Sequence, residues 1–301
     1  MLEFQNTSIY RQEKRILDDF SLRVPDGAIM GLLGSDNRAK SMILAAASGS
    51  QAPDYGRILL DDVPVYQNRN NSYLNFGYMP KEYGFYDLLR VDEYFDLFLS
   101  LYRVNGRYRQ KRMEEVAELF GLRQYMSSFI MELPQDVLPF LCLAKTVLHD
   151  PKWLLLDEPF AGLNASGRNA MVKTLLILQE SGKSMIVNTQ LFVETRDFFT
   201  HVAMIEEGKM VAEGLTEEIF ENALKSSPVR MCVLAGMEQA LGVLKENALV
   251  DRVTVDEKDV IFRFNGGERE EAELLADLVA AGSLIQNYMR DRIDIEEIFR
   301  R

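Results

Sequence analysis

Several things are scarce in this sequence, and each scarcity closes off a class of protein. Cysteine occurs only twice, at Cys142 and Cys232, too few for a disulfide framework. The two histidines, His149 and His201, have no metal-ligand spacing and are expected to be structural. Basic residues number 34 against 46 acidic ones, and the net charge of −12 argues against nucleic-acid binding, which needs a basic face. No apolar run approaches the ~20 residues of a membrane-spanning helix; the stretch at 42–47 is among the longest. No basic stretch followed by an apolar one opens the chain, so a cytoplasmic location is the default expectation. Heptads, low-complexity tracts and internal repeats are missing as well.

What is present is enough apolar material, 47% of 301 residues, for one large domain or two. Strand-like stretches at 2–4 and 20–24 are followed by a Pro25-Asp26-Gly27 turn and an apolar run at 28–33. That run leads into GSDNRAKS (34–41), and helix formers follow at 42–47. From Val91 to about Gln124 the pattern turns helical, with apolar residues at Phe95, Phe98, Leu99, Tyr102, Val116, Leu119 and Phe120. An apolar strand at 153–156 runs directly into Asp157-Glu158-Pro159, and a second buried-strand candidate spans 185–187. Continuous apolar strands with helices between them predict an α/β domain around a largely parallel sheet covered on both faces, with a helical subdomain at about 87–150. A helix at 217–224 leads to Ser226-Ser227-Pro228. The order then becomes strand (229–234), helix (237–245), strand (250–255), strand (260–264), helix (269–281) and strand (284–289). This βαββαβ order is ferredoxin-like, so domains are expected at 1–224 and 225–301.

GSDNRAKS is a near-match to the phosphate-binding P-loop G-x-x-x-x-G-K-[ST], with Ala39 in place of the last glycine. Its setting, strand then loop then helix, is the one such a loop requires. Downstream, Asp157 and Glu158 end a strand as the second phosphate-site motif does, where the first carboxylate would hold Mg²⁺ and the second would act on the attacking water.

With these motifs in company, residues 1 to about 222 resemble the ATP-binding subunit of an ABC transporter. The likeness runs through Tyr78-Met79-Pro80-Lys81, the helical insert, LCLAKTVLHDPKWLLLDEPFAGLN (141–164) and VAMIEEGKMVAEG (202–214). The tail, with DRIDIEEIF at 291–299, resembles the small C-terminal domain of subunits serving ABC-2 type exporters. The resemblance implies ATP as ligand and a nucleotide site at Tyr10, the place of the adenine-stacking aromatic, and at Gly34, Ser35, Asp36, Asn37, Arg38, Ala39, Lys40, Ser41 and Met42. It implies Mg²⁺ on Ser41 and Asp157, and Glu158 as the catalytic base. It also implies docking of a membrane-spanning permease against Tyr83, Phe85, Tyr86 and Tyr94. A homodimer, or a heterodimer with another ATP-binding subunit, is implied too, as is a peripheral position on the inner face of the membrane.

The chain departs from the family pattern at the chemistry. Leu133, Pro134, Gln135, Asp136 and Val137 stand where the family has LSGGQ, whose serine and glycine backbone grip the γ-phosphate across the dimer. Pro134 brings neither hydroxyl nor N–H, and Asp136 adds a negative charge facing a phosphate. Lys81 replaces the glutamine that touches Mg²⁺, Gln190 the histidine that contacts the γ-phosphate, and Asn164 the aspartate that aligns subunits. Asn37 takes a glycine position and is expected at positive φ, while Ala39 puts a methyl group against phosphate. Because these changes touch both half-sites, no pairing of subunits yields an intact site. Hydrolysis is therefore expected to be very slow or absent, with nucleotide binding able to persist through Lys40, Ser41 and the helix start. Lys81 is expected to weaken Mg²⁺ binding while partly replacing its charge, with Arg38 assisting. The alternative is a structural or regulatory subunit that no longer binds nucleotide.

Overall fold

The computed structural model describes residues 1–66, 74–226 and 228–290; the family-like DRIDIEEIF at 291–299 lies outside the described residues. It divides into two compact units, Met1–Thr216 and Glu217–Arg301.

The first unit opens with a hairpin of β1 (Leu2–Arg11) and β2 (Lys14–Val24), longer than the two short stretches expected. Arg11 faces Lys14, and the two turn residues, Gln12 and Glu13, both have positive φ (48° and 64°). Such a turn is usually written with asparagine or glycine, which is why the polar RQEKR run hid it. Next come β3 (Ile29–Leu33), buried at every position, and α1 (Asn37–Ala47). Strands β4 (Tyr55–Leu60) and β5 (Val63–Pro64) join the hairpin in an antiparallel sheet of order β2-β1-β4-β5.

After β6 (Phe76–Met79) the chain is helical as far as β7 (Trp153–Asp157). Helix α2 (Val91–Leu101) buries Val91, Tyr94, Phe95 and Leu99, a stripe of helical spacing, and the Arg90 N–H is capped by Glu93 at 2.9 Å. The single helical run expected to Gln124 is broken before α3 (Arg107–Leu119), because Arg103 and Gly106 take positive φ (57° and 70°). Helix α4 (Leu138–Val147) completes the insert. Then follow α5 (Ala165–Glu180), β8 (Ser184–Asn188), β9 (His201–Glu206) and β10 (Lys209–Leu215). The second sheet has the order β10-β9-β3-β8-β7-β6, parallel except for β10. Strands β3, β7 and β8 are buried throughout, as the uninterrupted apolar runs require.

Helix α6 (Thr216–Ser226) opens the second unit, whose expected start at residue 225 thus lies within this helix. Then come β11 (Pro228–Ala235), α7 (Met237–Glu246), β12 (Val250–Asp256), β13 (Asp259–Phe264), α8 (Glu268–Ala280) and β14 (Leu284–Arg290). The sheet is antiparallel with order β12-β13-β11-β14. Alternate residues Val229, Met231 and Val233 of β11 and Val260, Phe262 and Phe264 of β13 share one core with Ala240, Leu244, Leu274 and Leu278 of the helices. No helix among the described residues is long and apolar enough to cross a membrane.

His149 ties the helical insert to the sheet. Its ring stacks on Tyr102, with centroids 3.8 Å apart, and its Nε2 lies 3.0 Å from the Phe76 carbonyl of β6. A carbonyl only accepts, so Nε2 carries the proton. Burial, the largest effect, pushes its pKa down from 6.5 to about 4. A depressed folded-state pKa gives stability that is full above 6.5 and is lost as the pH falls toward 4. Between pH 7 and pH 5 this group removes about 2 kcal/mol of stability. His149→Gln keeps a donor for Phe76, so its urea-unfolding free energy should fall less over that interval than the wild type's.

Candidate functional site

The register of the parallel sheet brings the expected site together. Leu32 of β3 pairs with Asn188 of β8, and Asn188 pairs in turn with Asp157 of β7, so these strands end at one edge. Met79 of β6 pairs with Leu156, which brings Lys81 to the same edge. In an open α/β sheet the carboxyl ends of the strands are where ligands bind.

The loop leaving β3 begins with Gly34 at φ 124°, where a Cβ would lie 1.9 Å from the Ile205 carbonyl oxygen, so only glycine fits. The Ser35 hydroxyl reaches Glu206 at 3.3 Å. Asp36 is the N-cap of α1, and its Oδ1 accepts the N–H of Arg38 at 2.9 Å and of Ala39 at 3.2 Å. Asn37, expected at positive φ, is instead the first residue of the helix. Asn37 and Ala39 both fit a right-handed helix better than glycine would, and the Asp36 side chain caps it. Lys40 and Ala39 are buried and Ser41 is half-buried.

At the sheet edge, Asp157 is buried and its Oδ1 accepts the Asn188 Nδ2–H at 2.7 Å. Glu158 has φ 55°, and its N–H is held by the Asn188 carbonyl at 2.8 Å. A glutamate in the left-handed region is strained, a condition that concentrates at functional sites. Its side chain is 6% exposed; Oε2 accepts the Gln190 N–H at 3.2 Å, and Oε1 has no hydrogen-bond partner. Burial pushes the carboxyl pKa up, while the Gln190 amide draws it down; Asp157 raises it, and Lys40 and Lys81 lower it. Gln190 therefore meets Glu158 through its main chain, and its side chain is exposed.

A cleft of about 500 Å³ lies beside the loop, lined by Arg38, Ser41, Met42 and Ala45 of α1, Arg11, Gln12, Lys14 and Ile16 of the hairpin, and Tyr78. Burial, with the Asp157 charge second, pushes the Tyr78 phenol up to about 12. Tyr10, expected as the adenine partner, is absent from this lining. Its ring meets Tyr55 edge-on at 6.3 Å and Arg15 lies over it at 5.3 Å, while its hydroxyl accepts the Arg15 Nε–H at 2.9 Å. The hairpin residues Arg11, Lys14 and Ile16 were missed from sequence; the RQEKR run was their only signal. The cleft and the buried Lys40 suit a phosphate-bearing ligand. Among the described residues no three His, Cys, Asp or Glu side chains group as a metal site, and Lys40 and Lys81 lower the Glu158 pKa against its burial.

The segment in the signature position is a turn before α4. Val137 N–H bonds the Pro134 carbonyl at 3.0 Å, Leu133 is buried, and Pro134, Gln135 and Asp136 are exposed. No side chain caps α4 there. Asn164 caps α5 by accepting the Gly167 N–H at 2.8 Å. The aromatics expected to dock a partner form one cluster: Phe85 lies 5.3 Å from Tyr83 and 5.8 Å from Tyr94, and Tyr86 6.3 Å from Tyr94. Tyr94, however, is 1% exposed and packs on Phe98, so it supports the cluster from below and presents no surface. The open surface belongs to Tyr86 and to Leu88, which is 79% exposed and was not expected.

Residues 17–161 match the ABC transporter family. An uncharacterized ABC transporter ATP-binding protein of Synechocystis sp. is 27% identical over 233 residues, which are 77% of this chain and 64% of that protein. The chain thus spans less than two thirds of that relative's length. The linearmycin resistance ATP-binding protein LnrL of Bacillus subtilis is 23% identical over 301 residues, covering 99% of this chain and 97% of LnrL. The fold is shared with a dimeric post-hydrolysis state of an ATP-binding cassette bound to ADP and Pi, at a TM-score of 0.64 and 19% identity, over 72% of this chain and 99% of that one.

Gly34→Ala places its methyl group on the Ile205 carbonyl and should destabilise the protein by about 3 kcal/mol or more. Gly27→Ala, with φ 77° and nothing within 4 Å, should cost only the backbone strain, about 1 kcal/mol. Urea unfolding of the two variants checks the difference.

Proposed function

We propose that the first unit is an ABC transporter ATP-binding cassette and that the chain serves an export transporter as a nucleotide-binding subunit whose hydrolysis is very slow or absent. The end-to-end likeness to a resistance protein supports the export role. Lys40 and Ser41 with the cleft hold the nucleotide, and Lys81 takes over part of the charge of Mg²⁺. The exposed Tyr86 and Leu88, beside Tyr83 and Phe85, suit an apolar segment of a membrane-spanning permease. The chain acts beside a second ATP-binding subunit, identical or not, on the cytoplasmic face of the membrane. The order β12-β13-β11-β14, with helices after the first and third strands, supports a ferredoxin-like accessory domain from about residue 225.

The observation that carries this reading is a mismatch along one sheet edge. Lys40, Asp157 and Glu158 are buried there, while the positions that would grip a γ-phosphate hold the exposed Lys81 and Gln190 side chains. A lost preorganised donor slows a reaction roughly 10²- to 10³-fold, and several are replaced at once.

The purified chain should turn over ATP more slowly than about 0.01 s⁻¹, and Glu158→Gln should leave that rate unchanged. Ordinary turnover that Glu158→Gln abolishes would refute the reading. Calorimetric titration with ATP should give affinities within about threefold with Mg²⁺ or with a chelator, and Lys81→Gln should restore a dependence on the metal. A strict Mg²⁺ requirement in the wild type would count against the role given to Lys81.

A further inference from the structure

We propose that the open face of the second unit's sheet is the surface through which two copies of this chain pair, face to face and without nucleotide. The proposal rests on the second-subunit part of the reading above and commits it to an identical copy.

Side chains that stand opposite each other on paired antiparallel strands share a face. The register therefore lays Met289, Arg230, Ile261 and Thr254 in one row across the sheet, and Asn287, Cys232, Asp259 and Asp256 in the next. A third row holds Pro228, Arg263 and Asp251. Between them along β11 and β13 lie Val229, Met231 and Phe262, which turn the other way into the core shared with α7 and α8. The two helices thus cover one face and leave the other to solvent. Leu234 and Leu284, at one corner of the sheet, and Met289 are exposed, and Ile261 is half-buried in mid-face. Large apolar side chains spread over an open face mark an interaction surface.

Charge selects a second copy as the occupant. Arg263 and Arg230 lie toward one end of the strands and Asp259 and Asp256 toward the other, while Asp251 sits at the basic end opposite Arg263. Arg230 already reaches Asp259 at 3.6 Å, yet both side chains remain partly exposed. Turning a copy by half a revolution about an axis in the sheet plane and across its strands sets the arginine end of each copy over the aspartate end of the other. A two-fold contact of this kind is self-complementary. Elsewhere copies repel, because the chain carries a net charge of −12, and the exposed side of α8 presents Glu270, Glu273 and Asp277. In this arrangement β11 of one copy crosses over β11 of the other, at the ~10 Å spacing of packed sheets. The two Cys232 thiols then fall within reach of a short bismaleimide. Cys142, the other cysteine, is buried, so cross-linking reports on this face.

The test uses the full chain with a chelator and no nucleotide. Sedimentation equilibrium should show a dimer with a Kd on the order of 10 µM, and bismaleimide should link it through Cys232. Arg230→Asp with Arg263→Asp should weaken the dimer at least about tenfold, and adding Asp256→Arg and Asp259→Arg should restore it by inverting both ends. A wild type that stays monomeric up to about 100 µM overturns the proposal and leaves a different partner, or pairing driven by nucleotide, standing. A dimer whose Cys232 thiols do not cross-link has its contact elsewhere and overturns it as well, as does a dimer indifferent to the arginine reversal. Should that reversed variant fail to fold, Met289→Glu at an exposed site decides: an unchanged dimer contradicts the proposal.

Discussion

The in-register pairing of three buried parallel strands sets everything at the site. Leu32, Asn188 and Asp157 stand side by side because β3, β8 and β7 are buried along their whole length and lock each other's register. A slip of one residue would turn every side chain to the opposite face, so the arrangement resists change. The loops at the strand ends carry no such restriction. Their conformations follow local capping instead: Asn37 begins a helix capped by Asp36, and residues 134–137 form a turn ahead of α4 with no side-chain cap.

The strand frame was legible because buried parallel strands are written as unbroken apolar runs, as at 153–156 and 185–187 within β7 and β8. The six-element order of the second unit was legible for a similar reason, with alternation in β11 and β13 and helical spacing in α7. Loop conformation was not. Asn37 was expected to keep a glycine's backbone, yet a substitution that removes glycine also removes the reason for the loop to stay open. Nothing in GSDNRAKS marks Asp36 as the cap until Asn37 is known to be helical. The hairpin turn at Gln12 and Glu13 was hidden likewise, because its residues are not those that usually take positive φ.

Charge at the site is organised around the buried acidic pair. Glu158 is raised by burial and by Asp157, and it is opposed by Lys40 and Lys81. Tyr86 and Leu88 add exposed apolar surface to the first unit.

The loop at 34–41 is a capped helical turn whose amides at 38–40 are bonded within the chain. Residue-resolved hydrogen exchange measures this directly. Protection of the Arg38, Ala39 and Lys40 amides comparable to that of Ile43 and Leu44 in the same helix is the result expected. Unprotected exchange at 38–40, with protection beginning only beyond Ser41, would contradict it.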